Sequence, residues 1–328
     1  MSTILFADSF HLAEGAERRI SSLGTVLRLS LAQRDELISM AGKADIIIAE
    51  YASIDEAVLK RAERLKGIVV YGVGVNHVDL AGAARRGIPV ANSRGGNAQA
   101  VAELSILLLL ECLRHAGKAD GYVRSGRWGA ADSASLPSWI KGRELRGKTL
   151  GIIGAGTIGS RVALLGEAFG MKILVTSGRS GKHPKYEWVP LEDLLAASDA
   201  VSVNVPITPD TRGLLSRDRL CNMKKGSVLV ITSRGGIVDE NALAELLESG
   251  HLAGAGLDVF QDEPIPSSSP LLRAPNTVLT PHMGGSTEEA VEDVSNLIAS
   301  CCERILGGEI PETTVNGELM RHFGHPGG

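Results

Sequence analysis

The stretch TLGIIGAGTIG, Thr149–Gly159, decides the fold of this chain. An apolar run, Leu150–Ile153, leads into three glycines in the spacing G-x-G-x-x-G. A helix-forming stretch, Ile158–Phe169, and a second apolar run, Lys172–Thr176, follow it. The order strand, glycine turn, helix and strand is typical of a site that binds a dinucleotide.

Each glycine of this turn has its own role in such a site. Gly154 allows the tight turn, Gly156 lets a pyrophosphate approach the backbone, and Gly159 lets the helix pack close to the strand. The N–H groups at the helix start, at Thr157 and Ile158, are donors for the phosphates. The alternative is a tight strand-to-helix turn that binds nothing. The helix and strand that follow favour the dinucleotide site.

The residue that usually selects the cofactor is missing. An NAD site has Asp or Glu about 20 residues past the first glycine, at the end of the second strand. The segment LVTSGRSGK has no carboxylate there and offers Ser177, Arg179 and Lys182 instead. A hydroxyl and two cations can hold a 2′-phosphate through charge-assisted hydrogen bonds. We therefore expect NADP(H) to be preferred, with NAD(H) as a second possibility; the alternative is a solvated basic loop.

Composition narrows the class of protein. The 328 residues suffice for two domains, and the hydrophobic fraction of 44% supports substantial cores. A net charge of −4 gives no general attraction to nucleic acid or an anionic membrane. The four cysteines have no metal-ligand spacing, so we expect reduced thiols and no metal site. The start MSTILFADSF resembles no signal peptide, and no apolar run is long enough to span a membrane, so we expect a cytoplasmic protein.

Strand and helix patterns alternate along the chain, which predicts an α/β protein with parallel sheets. We expect two doubly wound domains, a flavodoxin-like substrate domain and a Rossmann nucleotide-binding domain, with the active-site cleft between them. The substrate domain is predicted to be discontinuous, at 1–98 plus 295–328. The nucleotide-binding domain is predicted at 99–294 and includes an irregular dimerisation arm at about 117–146. The tail Gly317–Gly328 is expected to fray.

Three ionisable residues follow predicted strand ends. Arg234 follows the strand at 227–232, Glu263 lies beyond the strand at 254–257, and His282 follows the strand at 277–279. Each alone has a plain structural reading, as a surface arginine, a loop carboxylate or a capping histidine. Since the carboxyl ends of parallel strands share one edge of a sheet, we expect the three to form one site.

Seven ordered motifs give the chain a close resemblance to the D-isomer-specific 2-hydroxyacid dehydrogenase family over nearly its full length. They are YGVGVNHVDL (71–80), NSRGGNAQAVAE (92–103), GKTLGIIGAGTIGSRVA (147–163), NVPITPDTRGLL (204–215), the segment around Arg234, GLDVFQDEP (256–264) and TPHMGGST (280–287). The TSGR segment (176–179) is similar to the cofactor loop of the glyoxylate/hydroxypyruvate reductases in this family.

The resemblance implies roles for individual residues. Arg234, Glu263 and His282 correspond to the family's catalytic residues, and Asp258 to the residue that orients the nicotinamide carboxamide. Further cofactor contacts are implied at Val205, Pro206, Thr211, Thr232, Ser233, His282 and Gly284. Substrate contacts are implied at Val73, Gly74, Val75, Asn97, Arg234 and His282.

These roles suit the chemistry of reducing a 2-oxo acid. His282 is a suitable proton donor for the carbonyl oxygen, and Glu263 beside it favours the imidazolium form and fixes the ring. Arg234 has a planar, permanently charged fork that can hold carboxylate and carbonyl oxygens. Related formate dehydrogenases have Gln where this chain has Glu263. A reaction that needs no proton relay is therefore less consistent with this sequence.

Three residues bear on the substrate. Glu50 stands where phosphoglycerate dehydrogenases of the family have Arg, and its charge would repel a phosphate. Arg94 is either an additional anion contact or a solvated cation. Trp139, on the predicted arm, either reaches the active site of a neighbouring subunit or packs only at a dimer contact.

We therefore expect an NADPH-preferring homodimer that reduces glyoxylate and hydroxypyruvate. The sequence alone leaves two alternative hypotheses. One is an NAD-dependent dehydrogenase for another anionic D-2-hydroxy acid, with 3-phosphoglycerate disfavoured. The other is a dinucleotide-sensing binding protein similar to the C-terminal-binding-protein corepressors, which share the fold and the three catalytic residues.

Overall fold

The chain forms two compact units in a computed structural model that describes residues 1–29, 34–129, 136–176 and 185–327. The first unit combines 1–97 with 286–328, and the second spans 98–285. Both are built from parallel strands with intervening helices, which confirms the predicted α/β class.

The strands are β1 Ser2–Phe6, β2 Gly24–Arg28, β3 Ile46–Ala49, β4 Gly67–Val70, β5 Val90–Asn92, β6 Thr149–Ile153, β7 Lys172–Thr176, β8 Glu187–Trp188, β9 Ala200–Val203, β10 Val228–Ile231, β11 Gly254–Leu257 and β12 Thr277–Leu279. The helices are α1 Glu14–Leu23, α2 Arg34–Ala41, α3 Glu56–Arg61, α4 Leu80–Arg85, α5 Ala98–Arg114, α6 Ala116–Arg124, α7 Thr157–Ala168, α8 Leu191–Ala197, α9 Arg217–Asn222, α10 Glu240–Glu248, α11 Glu288–Leu306 and α12 Gly317–His322. Short 3₁₀ turns occur at Ser138–Ile140 and Pro270–Leu272.

The first unit has a five-stranded parallel sheet in the order β2-β1-β3-β4-β5. Every residue of β3 and β4 is buried, as expected for strands covered by helices on both faces. Alternate side chains serve different cores. Ile47 and Ile68 pack on one face of the sheet, whereas Ile46, Ile48 and Val69 pack on the other.

Helix α11 belongs entirely to the first unit. Its residues Val294, Ile298 and Ile305 pack in the same core as strand β1. The second junction between the units therefore falls at 285/286, before this helix, and not at the predicted 294/295, which would divide one continuous buried face. The first junction, at 97/98, lies within one residue of the predicted position.

After α11 the chain returns to the edge of the first sheet. Val315 donates its N–H to the carbonyl of Val90 at 2.8 Å. Asn316 is 1% exposed, and its side chain accepts the Val90 N–H and donates to the Ile88 carbonyl, each at 2.9 Å. The amide thus bonds two backbone groups that precede and begin β5.

The expectation of a frayed tail is wrong. Residues 317–322 form α12, which packs on α4, and Met320 is only 1% exposed. Burial of the Met320 side chain fixes this helix to the first unit. The short segment contains glycines and histidines and has no apolar periodicity that would predict the helix.

The second unit has a seven-stranded parallel sheet in the order β12-β11-β10-β9-β6-β7-β8. The chain starts in the middle at β6, runs outward through β7 and β8, and then builds β9 to β12 on the other side of β6. The point where this order reverses, between β6 and β9, is where doubly wound sheets bind their ligands.

The predicted arm at 117–146 contains a helix that the sequence did not indicate. Helix α6 has no buried residue within this chain, so it lacks the apolar periodicity by which helices are recognised. Residues 130–135 lie outside the described part of the chain. Among the described residues, no helix has the length and apolar character needed to cross a bilayer, and no cluster of three His, Cys, Asp or Glu side chains is arranged to hold a metal ion.

Replacing Asn316 by Ala tests the return of the chain to the first unit. The substitution leaves the Val90 N–H and the Ile88 carbonyl without their partner, at about 1–3 kcal/mol for each buried group. We expect the free energy of unfolding of the first unit to fall by about 2–4 kcal/mol, measured by urea denaturation. The exposed Asn76→Ala, in the same unit, is the control and should change this free energy by less than about 0.5 kcal/mol. An equally small effect at Asn316 would contradict the role of this contact.

Candidate active site

The glycine-rich turn joins β6 to α7 at the reversal point of the second sheet. Gly154 has φ of +94°, and a β-carbon added there would lie 2.7 Å from Val205 Cγ1. A β-carbon on Gly159 would lie 2.0 Å from the Gly154 carbonyl oxygen. The first glycine is therefore required for both conformation and packing, and the last for packing alone.

The middle glycine faces open space. Apart from the two adjacent residues, no atom of the described residues lies within 4 Å of the position where Gly156 would carry a β-carbon. Gly156 is also the N-cap of α7, and no side chain in the described part of the chain caps this helix end. The N–H groups of Thr157, Ile158 and Gly159 precede the first intrahelical donor, so they are left for a ligand. An uncapped helix N-terminus behind an opening fits a dinucleotide pyrophosphate.

The structure leaves the proposed cofactor selectors untested. Strand β7 ends at Thr176, whose carbonyl accepts the Gly154 N–H at 2.8 Å, so the end of this strand lies next to the glycine turn. Ser177, Arg179 and Lys182 lie outside the described residues.

The structure brings two of the three predicted catalytic residues into direct contact. His282 Nδ1 lies 2.7 Å from Glu263 Oε2, and the two side chains are 31% and 34% exposed. Glu263 Oε1 accepts the N–H of Phe260 at 3.0 Å, which fixes the carboxylate within its own loop. An ionised carboxylate only accepts hydrogen bonds, so Nδ1 carries the proton of this contact. The Nε2 atom is then the ring nitrogen left for chemistry.

The backbone of His282 adopts a conformation that non-glycine residues rarely take, with φ of +52°. Such a residue costs on the order of 1–3 kcal/mol and persists only where its surroundings enforce it. Its N–H donates to the Asp258 carbonyl at 2.9 Å. The surrounding loop is therefore tied to the end of β11.

Asp258 is the residue that holds this loop. It is 1% exposed, and its carboxylate accepts hydrogen bonds from the Thr280 hydroxyl at 2.7 Å, the Met283 N–H at 2.8 Å and the Gly284 N–H at 2.8 Å. Sequence reasoning singled out Asp258 for the nicotinamide carboxamide and did not foresee these bonds. The carboxamide role is an additional expectation that they do not test.

Arg234 follows β10, the neighbour of β11 in the sheet. It is partly buried, and its guanidinium donates to the Ser233 carbonyl at 2.7 Å. Thr232 is almost fully buried, and its hydroxyl pairs with that of Ser105 on α5 at 2.8 Å. The Thr232 side chain is therefore engaged within the fold, which leaves its backbone for the predicted cofactor contact.

The remaining predicted cofactor residues follow β9. The Thr211 hydroxyl donates to the Pro206 carbonyl at 2.6 Å and closes the turn between them. Val205 packs against Gly154, as described above. These residues thus lie next to the glycine turn at the carboxyl edge of the second sheet.

The predicted substrate residues other than Arg234, His282 and Trp139 lie in the first unit. Val73, Gly74 and Val75 follow β4, and the Val73 carbonyl accepts a hydrogen bond from the Asn92 side chain at 2.7 Å. Arg94 is exposed. Asn97 has a buried side-chain oxygen for which the described part of the chain provides no hydrogen-bond partner.

Sequence reasoning missed the residue that shapes the neighbouring loop. One oxygen of the buried Asp8 accepts the N–H groups of Glu50, Tyr51 and Ala52 at 2.7, 3.2 and 3.1 Å. Asp8 lies two residues after the end of β1, at the carboxyl edge of the sheet. Polar residues after strand ends are candidates for such sites in parallel sheets, and this position is the signal that could have identified it. Burial raises the pKa of Tyr71, and the charge of Glu50 adds to the effect.

Trp139, on the predicted arm, packs within its own chain. Its ring meets Tyr122 edge-on, with centroids 5.9 Å apart, and the Lys118 ammonium lies 4.4 Å from its centroid. Both partners belong to α6. This packing gives the ring a defined place in the arm and leaves its predicted reach to a neighbouring subunit untested.

Comparison with known proteins identifies the family. The family described as D-isomer specific 2-hydroxyacid dehydrogenase, NAD binding domain, matches residues 106–284. A glyoxylate reductase of Pyrococcus horikoshii is 39% identical over 294 residues, which cover 88% of this chain and 87% of the relative.

Solved structures agree with this assignment. A glyoxylate reductase from Paecilomyes thermophila has a TM-score of 0.86 at 29% identity, covering 96% of this chain and 98% of the other. An acyclic imino acid reductase in complex with NADPH and D-Arg has a TM-score of 0.88 at 28% identity, covering 95% and 99%. The chain therefore belongs to the D-isomer-specific 2-hydroxyacid dehydrogenase family and is an NAD(P)-dependent oxidoreductase.

Proposed function

We propose that this enzyme reduces small 2-oxo acids, with glyoxylate and hydroxypyruvate as its substrates, and that it prefers NADPH. The observation that carries the proposal is the 2.7 Å contact between His282 Nδ1 and Glu263, which leaves Nε2 as a proton donor. The similarity to glyoxylate reductases supports the choice of substrates.

His282 supplies the proton in the proposed reaction. A dinucleotide held at the glycine turn would provide the hydride for C2 of the substrate. Because charge develops on the carbonyl oxygen, that oxygen needs a proton, which the imidazolium Nε2 donates. Glu263 stabilises the imidazolium and keeps the ring in one orientation through Nδ1. In the reverse direction the neutral imidazole accepts the proton of the hydroxyl group.

Arg234 binds the substrate in this proposal. Its guanidinium presents parallel N–H groups that match the oxygens of a 2-oxo acid, which an ammonium group cannot do. Its positive charge also polarises the carbonyl that receives the hydride. The backbone of Val73, Gly74 and Val75 binds the substrate carboxylate, with further contacts from Asn97.

The glycine turn holds the dinucleotide, and the segment after β7 selects its form. The open face at Gly156 and the uncapped start of α7 accommodate the pyrophosphate. Ser177, Arg179 and Lys182 provide donors and positive charge for a 2′-phosphate. The solved complex of an imino acid reductase of similar fold with NADPH supports this choice of cofactor.

Glu50 restricts the substrates in this proposal. Its backbone is fixed by Asp8, and its charge contributes to the raised pKa of Tyr71, which directly precedes the Gly72–Val75 loop. A negative potential at this loop disfavours a substrate with a phosphate on its side chain. Glyoxylate and hydroxypyruvate carry no such group.

We further propose a cytoplasmic homodimer. Helix α6 has no buried residue within this chain, which suits a segment that is covered by a second copy. Trp139 packs on the same helix and would be fixed in place by that contact.

Replacing His282 by Asn removes the proton donor and keeps a side chain of similar polarity. We expect kcat for glyoxylate reduction to fall by about 10²–10⁴-fold, the usual contribution of general acid catalysis. Dinucleotide affinity, measured by quenching of tryptophan fluorescence, should fall far less than kcat. Turnover close to that of the unaltered enzyme would refute the role of His282.

Comparison of the two cofactors tests the segment after β7. Since a charge-assisted hydrogen bond contributes about 1.5–3 kcal/mol, kcat/KM with NADPH should exceed that with NADH at least about tenfold. Arg179→Ala should remove most of this difference, and Ser177→Asp should reverse it. Equal or better turnover with NADH in the unaltered enzyme would indicate a solvated loop and an NAD-dependent dehydrogenase.

Glu50→Gln tests the exclusion of phosphorylated substrates. Removing the charge should raise kcat/KM for phosphohydroxypyruvate relative to hydroxypyruvate by about tenfold, which corresponds to about 1.4 kcal/mol. Glu63→Gln, at an exposed position of the same unit, is the matched control and should leave the ratio unchanged. An unchanged ratio in both variants means that the Glu50 charge does not act on the substrate.

A further inference from the structure

Of the three loops that carry proposed catalytic groups in the second unit, two are in contact through a single backbone peptide. Arg234 lies on the loop after β10, and Glu263 lies on the loop after β11. Gly235 packs against the peptide between Phe260 and Gln261, on the second loop. A β-carbon on Gly235 would lie 1.8 Å from the Phe260 carbonyl oxygen and 2.6 Å from the Gln261 nitrogen. No side chain fits between these loops without separating them.

A carboxylate from α10 holds the same peptide. Glu240 Oε1 accepts the Gln261 N–H at 2.7 Å. The preceding N–H, that of Phe260, is accepted by Glu263 itself. Two consecutive N–H groups of this loop therefore donate to different carboxylates. One is Glu240, on α10, and the other is Glu263, which contacts His282.

Capping of α10 does not account for the position of Glu240. Helix α10 already has an N-cap, because the Asp239 side chain accepts the Ala242 N–H at 3.0 Å. Glu240 is half-buried, and burial raises its pKa, with smaller contributions from the charges of Asp262 and Glu263. Burying a carboxylate is unfavourable unless it is hydrogen-bonded, so the bond from the Gln261 N–H is expected to contribute to the structure of this loop.

We propose that Gly235 and Glu240 are positioning residues that fix the Arg234 loop to the Glu263 loop through the Phe260–Gln261 peptide. Glu240 holds the peptide by its N–H, and Gly235 lets the Arg234 loop approach its carbonyl. The spacing of Arg234 from the Glu263–His282 pair is then set by contacts that involve neither substrate nor cofactor. This inference rests on the proposed catalytic roles of these three residues.

Three substitutions of Glu240 separate its hydrogen bond from its charge. Glu240→Gln keeps an acceptor of the same reach and loses the charge. Glu240→Asp keeps the charge and is one methylene too short, and Glu240→Ala loses both. We expect Glu240→Gln to keep kcat within about threefold, whereas Asp and Ala lower it at least about tenfold, since a displacement of about 1 Å can cost about 10²-fold. Dinucleotide affinity should be unchanged in all three.

The controls separate the possible outcomes. Glu248→Ala removes an exposed carboxylate from the same helix and should have no effect on kcat. Melting temperatures verify that each variant is folded at the assay temperature. If Glu240→Ala is not folded there, Glu240→Asp alone is compared with Glu240→Gln. Full activity of Glu240→Asp with impaired Glu240→Gln would mean that the charge acts and not the bond, which overturns the inference. A normal kcat in all three Glu240 variants would also overturn the inference. If His282→Asn, measured in the same assay, is inactive, the proposed function still stands in that case.

Discussion

The buried carboxylate of Asp258 is the interaction on which the proposed site depends. A carboxyl group that is 1% exposed is costly to bury unless its oxygens are hydrogen-bonded, and here one hydroxyl and two backbone N–H groups donate to it. Those donors belong to the segment that carries His282, whose φ of +52° is unfavourable by itself. The energy of the buried contacts offsets that local strain. The imidazole is thereby placed against Glu263, and the remaining ring nitrogen faces away from the carboxylate.

Glycines serve two different purposes around this site. Gly154 is needed for its conformation, with positive φ, as well as for its contact with the segment after β9. Gly159 and Gly235 are needed because another backbone occupies the place of a side chain. Sequence spacing identified Gly154 and Gly159, because the G-x-G-x-x-G pattern has a known geometry. It did not identify Gly235, because its partner is more than 20 residues away on another loop.

The sequence predicts the second unit better than the first. Its central strands are continuous apolar runs covered on both faces, and a run such as Val228–Ile231 is recognisable without its neighbours. In the first unit, β2 lies at the sheet edge and two of its five residues are exposed, so its apolar pattern is weaker than that of β3 and β4. Contact between His282 and Glu263 followed from the rule that strand ends share one edge. The supporting carboxylates Asp8 and Glu240 did not, because their partners are backbone N–H groups that leave no mark in the sequence.

The central claim is that His282 gives a proton to the substrate in one direction and takes it back in the other. The most direct measurement is the pH dependence of kcat/KM for 2-oxo acid reduction and for 2-hydroxy acid oxidation in the unaltered enzyme. Reduction requires imidazolium and should decline as the pH rises, whereas oxidation requires neutral imidazole and should decline as the pH falls. The account predicts mirror-image profiles with one common midpoint. Profiles that decline in the same direction would contradict it.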